Sequence, residues 1–228
     1  MKFFKFSNLM PKEKVRFIYS AITFLIISIL SIALVLEFVN QRWTLFFVTS
    51  LALFLILLTF VFQRRFKVII PPEIQFAVII FIYGSIYLGE IHDYYERFFW
   101  WDSFLHTFSG FILGIIAFGL LYIMYKNKKL IAHPGVVTFL AFCIAMTMGV
   151  LWEIFEFAMD ELFVMNMQRR ETGVVDTMLD FIANTIGASI ACLSGYVYLK
   201  KGDMFLYNKL IKFFEEKNPS LFNRSKQD

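Results

Sequence analysis

The sequence predicts an all-α, polytopic membrane protein: a bundle of six transmembrane helices with both termini cytoplasmic. Of its 228 residues, 59% are hydrophobic and 30 are phenylalanine. A soluble domain of that length cannot hide so much apolar surface, because its surface-to-volume ratio demands polar coverage. The apolar residues gather into runs long enough to cross ~30 Å of hydrocarbon at ~1.5 Å per residue. Lysine and arginine fall almost entirely in one alternate set of loops, which fixes the orientation expected of the spans.

The chain opens on a basic cytoplasmic arm, residues 1–16, with Lys2, Lys5, Lys12, Lys14 and Arg16. The transmembrane domain follows over 17–199, its spans expected at about 17–39, 43–62, 73–92, 103–125, 136–159 and 176–199. The first apolar run is too long for a signal peptide, and no small-residue cleavage pattern follows it. Spans one and two hold Glu37 as their only charge and read as scaffold facing lipid. Pro71-Pro72 ends a loop carrying Arg64, Arg65 and Lys67 and starts span three, a usual place for proline near a helix N-terminus. Between spans three and four, Tyr94 to Trp101 supplies six aromatic residues, an interfacial belt on a short helix. Cys143 and Cys192 lie inside spans five and six without a Cys-x-x-Cys partner and read as small hydrophobes. The cytoplasmic tail, 200–228, is amphipathic over 203–217 and reads as a helix on the cytoplasmic leaflet, anchoring the last span.

Eighteen of the 22 basic residues fall on the side of the termini; Arg42, Arg97, Arg169 and Arg170 are the others. Twelve of the 18 acids lie at the opposite face, so the net charge averages two unlike surfaces. The location expected is therefore the plasma (inner) membrane, with membrane lipids as the first partner. No basic stripe with interleaved aromatics lies on a soluble module, so no nucleic-acid partner is expected. The oligomeric state is not encoded in any readable pattern.

Ionisable residues within the spans carry the functional signal, since a charge at the bilayer centre costs at least ~3 kcal/mol. Asp102 and His106 share a face of span four, and Glu153, Glu156 and Asp160 share one on span five. Asp176, Asp180, Asn184 and Gly187 do so on span six. From the helical rise, Asp102, Asp160 and Asp176 form an outer layer. His106, Glu156 and Asp180 lie ~6 Å deeper, and Glu153 with Asn184 ~5 Å deeper again. Small residues on the same helices, Ser109, Gly110 and Gly114 against Gly187, Ala188 and Ala191, favour close backbone approach. The polar site is expected within 90–187, open to the extracytoplasmic side. Glu90, His92, Asp93 and Glu96 at the end of span three read as a solvated rim.

Six carboxylates in a low-dielectric cleft need protons or a cation. An oxygen-rich set with one histidine suits magnesium, manganese or calcium; zinc or iron stays open, though a di-iron bundle normally offers two Glu-x-x-His pairs. Asp102, Glu156, Asp160, Asp180 and Asn184 are the expected metal ligands. His106, Glu153 and Asp176 are the expected catalytic groups, with Arg169 and Arg170 receiving an anionic substrate. The plainer alternative is an interhelical network that only fixes packing, for which six acids with three basic partners are poor glue.

The strings WDSFLHTFSGF (101–111), GVLWEIFEFAMD (149–160) and MQRRETGVVDTMLDFIANTIGA (167–188) resemble the bacterial YjdF-type integral membrane proteins, over about 70–200. That resemblance implies fold and topology and no particular chemistry. Asp102, His106, Glu153, Arg170, Asp180, Asn184 and Gly187 also resemble the pattern of VanZ-like membrane proteins, which are associated with glycopeptide resistance. Here Glu156 stands where that pattern has glutamine, and Asp160 and Asp176 are additional acids.

Three functions follow as expectations. The first is a metal-dependent enzyme acting on a lipid or lipid-linked substrate, the metal polarising an oxygen and activating water. The second is a small-molecule or envelope-stress binding protein using the same cleft without turnover. The third is a proton- or cation-coupled transporter, disfavoured because the inner halves of the spans lack matching polar residues and no inverted repeat appears.

Overall fold

The structure, a computed structural model, describes residues 12–163, 167, 168 and 173–222. Among these residues every regular element is helical: α1 (Lys12–Val39), α2 (Trp43–Phe66), α3 (Pro72–Ile82), α4 (Tyr94–Arg97), α5 (Trp101–Lys126), α6 (Pro134–Phe163), α7 (Val174–Lys201) and α8 (Phe205–Lys217). Six segments are long and apolar enough to cross a membrane: Phe17–Val39, Trp43–Phe66, Pro72–Ile91, Trp101–Lys126, Pro134–Leu162 and Val174–Lys201. They match the six expected spans, and the protein is an all-α, polytopic membrane protein.

The chain forms two compact units, one ending at Asp93 and the other beginning at Tyr94. In the first, α1, α2 and α3 meet around Ile26, Leu30, Ala52, Ile56, Ile79 and Ile82. Pro72 starts α3 at a position where its missing N–H costs nothing. From Tyr83 to Ile91 the helix winds on as a π-helix, whose i→i+5 bonds hydropathy does not announce. Glu37 of α1 is buried, and its Oε2 accepts no hydrogen bond from the described residues.

In the second unit α5 and α7 run parallel with α6 antiparallel to both. Their contact is made backbone to backbone. A Cβ built on Gly187 would stand 1.9 Å from the Thr107 carbonyl oxygen, and one on Gly110 would stand 2.5 Å from the Asn184 carbonyl oxygen. Only glycine permits that approach. The ends that carry Lys126 and Lys200 are covered by α8. Its apolar stripe, Tyr207, Leu210 and Ile211, is buried against protein. Tyr207 donates to the Ala191 carbonyl (3.0 Å), and Tyr122 donates to Glu215 Oε1 (3.0 Å). Burial holds the Tyr207 hydroxyl well above the usual tyrosine range, with Cys192 adding a smaller push upward. The amphipathic tail thus packs this stripe on its own bundle, in line with a helix that anchors the last span.

Candidate functional site

The polar residues of the second unit converge at the end where α5 and α7 begin and α6 finishes. Asp102 lies in the first turn of α5 and Asp176 in the first turn of α7, where the exposed N–H groups and the helix dipole favour negative charge. His106 follows Asp102 by one turn and is 6% exposed; Asp180 and Asn184 follow Asp176 and are each 2% exposed.

The His106 ring is the hub. Its Nε2 lies 3.5 Å from Asp102 Oδ1 and 3.8 Å from Asp180 Oδ1; its Nδ1 lies 3.7 Å from Glu153 Oε1. Two sets of donor atoms therefore meet on one imidazole: Asp102, His106 and Asp180, and His106, Glu153 and Glu156. Within each set the donor atoms all lie within 4.8 Å of one another. Either triplet could hold a cation.

Asn184 orders this hub. Ser109 Oγ shares its proton between the His106 carbonyl (3.0 Å) and Asn184 Oδ1 (3.2 Å), so the Asn184 amide nitrogen faces His106 Nδ1 at 3.1 Å. Donation to Nδ1 makes that nitrogen the acceptor and leaves the ring proton on Nε2, toward Asp102 and Asp180. Gly149 of α6 lets the amide in, since a Cβ there would stand 3.0 Å from Asn184 Nδ2.

Glu153 is the unusual member. It is 3% exposed, and neither carboxylate oxygen accepts a hydrogen bond of ordinary geometry from the described residues, although the Thr177 hydroxyl lies toward it. A buried acceptor left unpaired costs ~1–3 kcal/mol, and more when charged. No lysine or arginine among the described residues pairs with Glu153, Glu156 or Asp180. Among the described residues, Glu156 accepts a hydrogen bond only within its own helix, from Trp152 Nε1 at 2.8 Å.

Of the expected site residues, Asp102, His106, Glu153, Glu156, Asp180 and Asn184 come together. Asp176 is buried one turn before Asp180 on α7 but contributes no atom to either converging set. Asp160 also lies outside them. Its Oδ1 and Oδ2 accept from the backbone N–H groups of Met167 (2.5 Å) and Gln168 (2.9 Å), tying down the chain beyond α6. Arg169 and Arg170 lie outside the described residues. Glu90 and His92 belong to the first unit, where the His92 ring meets Tyr87 edge-on at 4.8 Å. Sequence reasoning misses the polar role of Ser109 and the need for Gly149; the i+3 spacing of Ser109 from His106 is the signal for the first.

Fold and site together define an integral membrane protein with a buried acidic cluster gathered on one histidine. The chain belongs to the family described as Predicted membrane protein (DUF2238), whose profile matches residues 22–201, the family to which the YjdF resemblance pointed. A relative from Thermotoga maritima, described as an uncharacterized protein, is 28% identical over 148 residues, 65% of this chain and 73% of its own. No solved structure matches.

Proposed function

We propose that the cluster around His106 binds a divalent cation at the extracytoplasmic face of the plasma membrane. On this reading the cation serves a reaction on a lipid or lipid-linked substrate. The observation that carries the reading is Glu153: a carboxylate 3% exposed that accepts no hydrogen bond of ordinary geometry from the described residues and has only the His106 ring and the Thr177 hydroxyl as polar neighbours among them. A protein retains such a group at considerable cost unless something cationic completes it. The donors are carboxylate oxygens around one imidazole, the set that suits magnesium, manganese or calcium.

The Nε2 side is the better seat, with Asp102 and Asp180 flanking it, because Asn184 occupies Nδ1. Loading Nε2 requires the ring proton to move to Nδ1. Turning the Asn184 amide over would give that proton an acceptor. Ser109 would then accept from the turned amide nitrogen while donating to the His106 carbonyl, so every partner stays satisfied. Glu153 and Glu156 on the other side would orient water or substrate against the cation. The uneven basic loops support cytoplasmic termini, and hence an outward-facing site.

The test is the metal content of detergent-purified protein by elemental mass spectrometry, beside an Asp180→Asn, Glu156→Gln double variant. Stoichiometric metal in the native protein and none in a folded variant is the expected result. Metal-free native protein, with a variant at least as stable, would refute the cation site and leave a ligand-binding cleft. Metal-free protein with an unfolded variant would favour a packing network.

A further inference from the structure

We infer that the first unit carries a seat for an anionic phospholipid headgroup, in the cleft where α2 ends and α3 begins. The cleft measures about 540 Å³ and is open to the surface, within the ~300–1,000 Å³ range of small-molecule sites. Four of its lining residues carry hydrogen-bond donors: Arg64, Lys67 and Gln75, and Gln63, whose amide is engaged within its own segment; Phe60, Val68 and Ile69 form the apolar wall.

Local backbone geometry builds the donor edge. Lys67 takes a left-handed conformation (φ 53°) that stops α2, its N–H bonding back to the Gln63 carbonyl. The chain then turns toward Pro72, held by the Ile70 N–H donating to Gln63 Oε1 at 3.1 Å. Arg64 and Lys67 are left side by side and exposed, with no carboxylate paired to either among the described residues. The Gln75 amide is half-buried and likewise makes no hydrogen bond to a described residue. Guanidinium and ammonium groups donate and cannot accept, so the edge asks for an acceptor-rich anion such as phosphate. The apolar wall supplies the second half of the recognition. Phe60 and Ile69 are 39% and 47% exposed, at the end of membrane-spanning helices. A phosphate beside an apolar wall at that depth is a phospholipid, and two unpaired cations favour one with net negative charge.

Arg65 provides the discriminating control, because it is exposed on the same turn but does not line the cleft. Diffuse attraction to anionic lipid would count all three cations alike, about fivefold each; a seat counts only two. The experiment is native mass spectrometry of the full chain with phosphatidylglycerol or phosphatidylcholine, using Arg64→Gln with Lys67→Gln, and Arg65→Gln. The expected result is retained phosphatidylglycerol on the native chain and on Arg65→Gln, with a loss of about tenfold or more in the double variant. Both mutated side chains are exposed, and equal thermal unfolding of the variants checks that they fold; the single variants stand in if the double one does not. A loss of about fivefold in Arg65→Gln, matching that of Arg64→Gln or Lys67→Gln alone, or equal binding of phosphatidylcholine, would overturn the proposal. Inorganic phosphate alone stabilising the protein as well as the lipid does would overturn the lipid assignment.

Discussion

Replacing Gly187 with alanine would test whether the site depends on the backbone contact between α5 and α7. The new Cβ would stand 1.9 Å from the Thr107 carbonyl oxygen and 2.7 Å from the Phe111 nitrogen, where ordinary contact begins at 3.4 Å. Both obstacles are backbone, so no side chain can turn aside. The helices must part by about 1.5 Å, and overpacking of this kind costs ~1–3 kcal/mol. Thr107 is the residue after His106, and Gly187 lies one turn beyond Asn184. A parting of that size would stretch the 3.1 Å contact between Asn184 Nδ2 and His106 Nδ1 beyond hydrogen-bond range. The variant should therefore unfold at lower temperature in detergent and lose bound cation with it. Gly119→Ala on α5 is the control, since nothing lies within 4 Å of its Cβ position. A Gly187→Ala protein as stable as the Gly119→Ala protein would refute the close-approach account of the site.

Three other outcomes follow from the geometry. Nitrogen-15 NMR of metal-free protein should show the His106 proton on Nε2, and Asn184→Ala should abolish that preference; a proton on Nδ1 in the native protein would contradict the amide orientation. Glu153→Gln should raise the thermal stability of chelator-treated protein, by up to ~1–3 kcal/mol as a buried, poorly hydrogen-bonded carboxyl group is removed. A fall in stability would mark Glu153 as half of a structural pair with His106. Tyr207→Phe should cost ~1 kcal/mol through the lost bond to Ala191. Because folded Tyr207 keeps its proton above the ordinary value of 10.0, the native state binds more protons than the unfolded chain there. Its contribution is full below pH ~10 and is lost as pH rises further; an alkaline melting series that is flat, or identical for Tyr207→Phe, would contradict the buried placement.

The spans were legible because a membrane helix needs only length and apolarity, and the chain supplies both six times over. The π segment from Tyr83 to Ile91 was not, since a change of hydrogen-bond register leaves composition untouched. At the site, one-turn spacing was enough to place Asp102 with His106 and Asp180 with Asn184. It could not tell which carboxylates would meet. Asp160 shares a face with Glu153 and Glu156, yet the chain after α6 folds back and takes both its oxygens. Ser109 reads as a small packing residue because its hydroxyl matters only once Asn184 is opposite. The amphipathic pattern of α8 was visible, while the surface that buries it belongs to α5 and α7 and depends on the tertiary fold.

The distribution of buried polar groups bears on how a cation would come and go. Around α5 and α7, the buried side chains beyond His106 and Asn184 include Ile112, Ile115, Phe118, Leu121, Ala188 and Ala191, with Tyr207 of α8 over them. Phe118 is 0% exposed, and its ring meets that of Tyr207 at 4.5 Å between centroids. Of the other buried polar groups described in that half, Thr138 of α6 bonds within its own helix to the Pro134 and Gly135 carbonyls, and the Tyr122 hydroxyl at the far end of α5 donates to Glu215. Moving a bare cation through such a layer costs several kcal/mol even after the protein relaxes. Carriers lower that cost with broken helices and polar groups at the midplane; among the described residues of this unit, α5, α6 and α7 are continuous helices. On the proposed reading a cation therefore enters and leaves His106 by the same end, as a resident cofactor does and a transported ion does not.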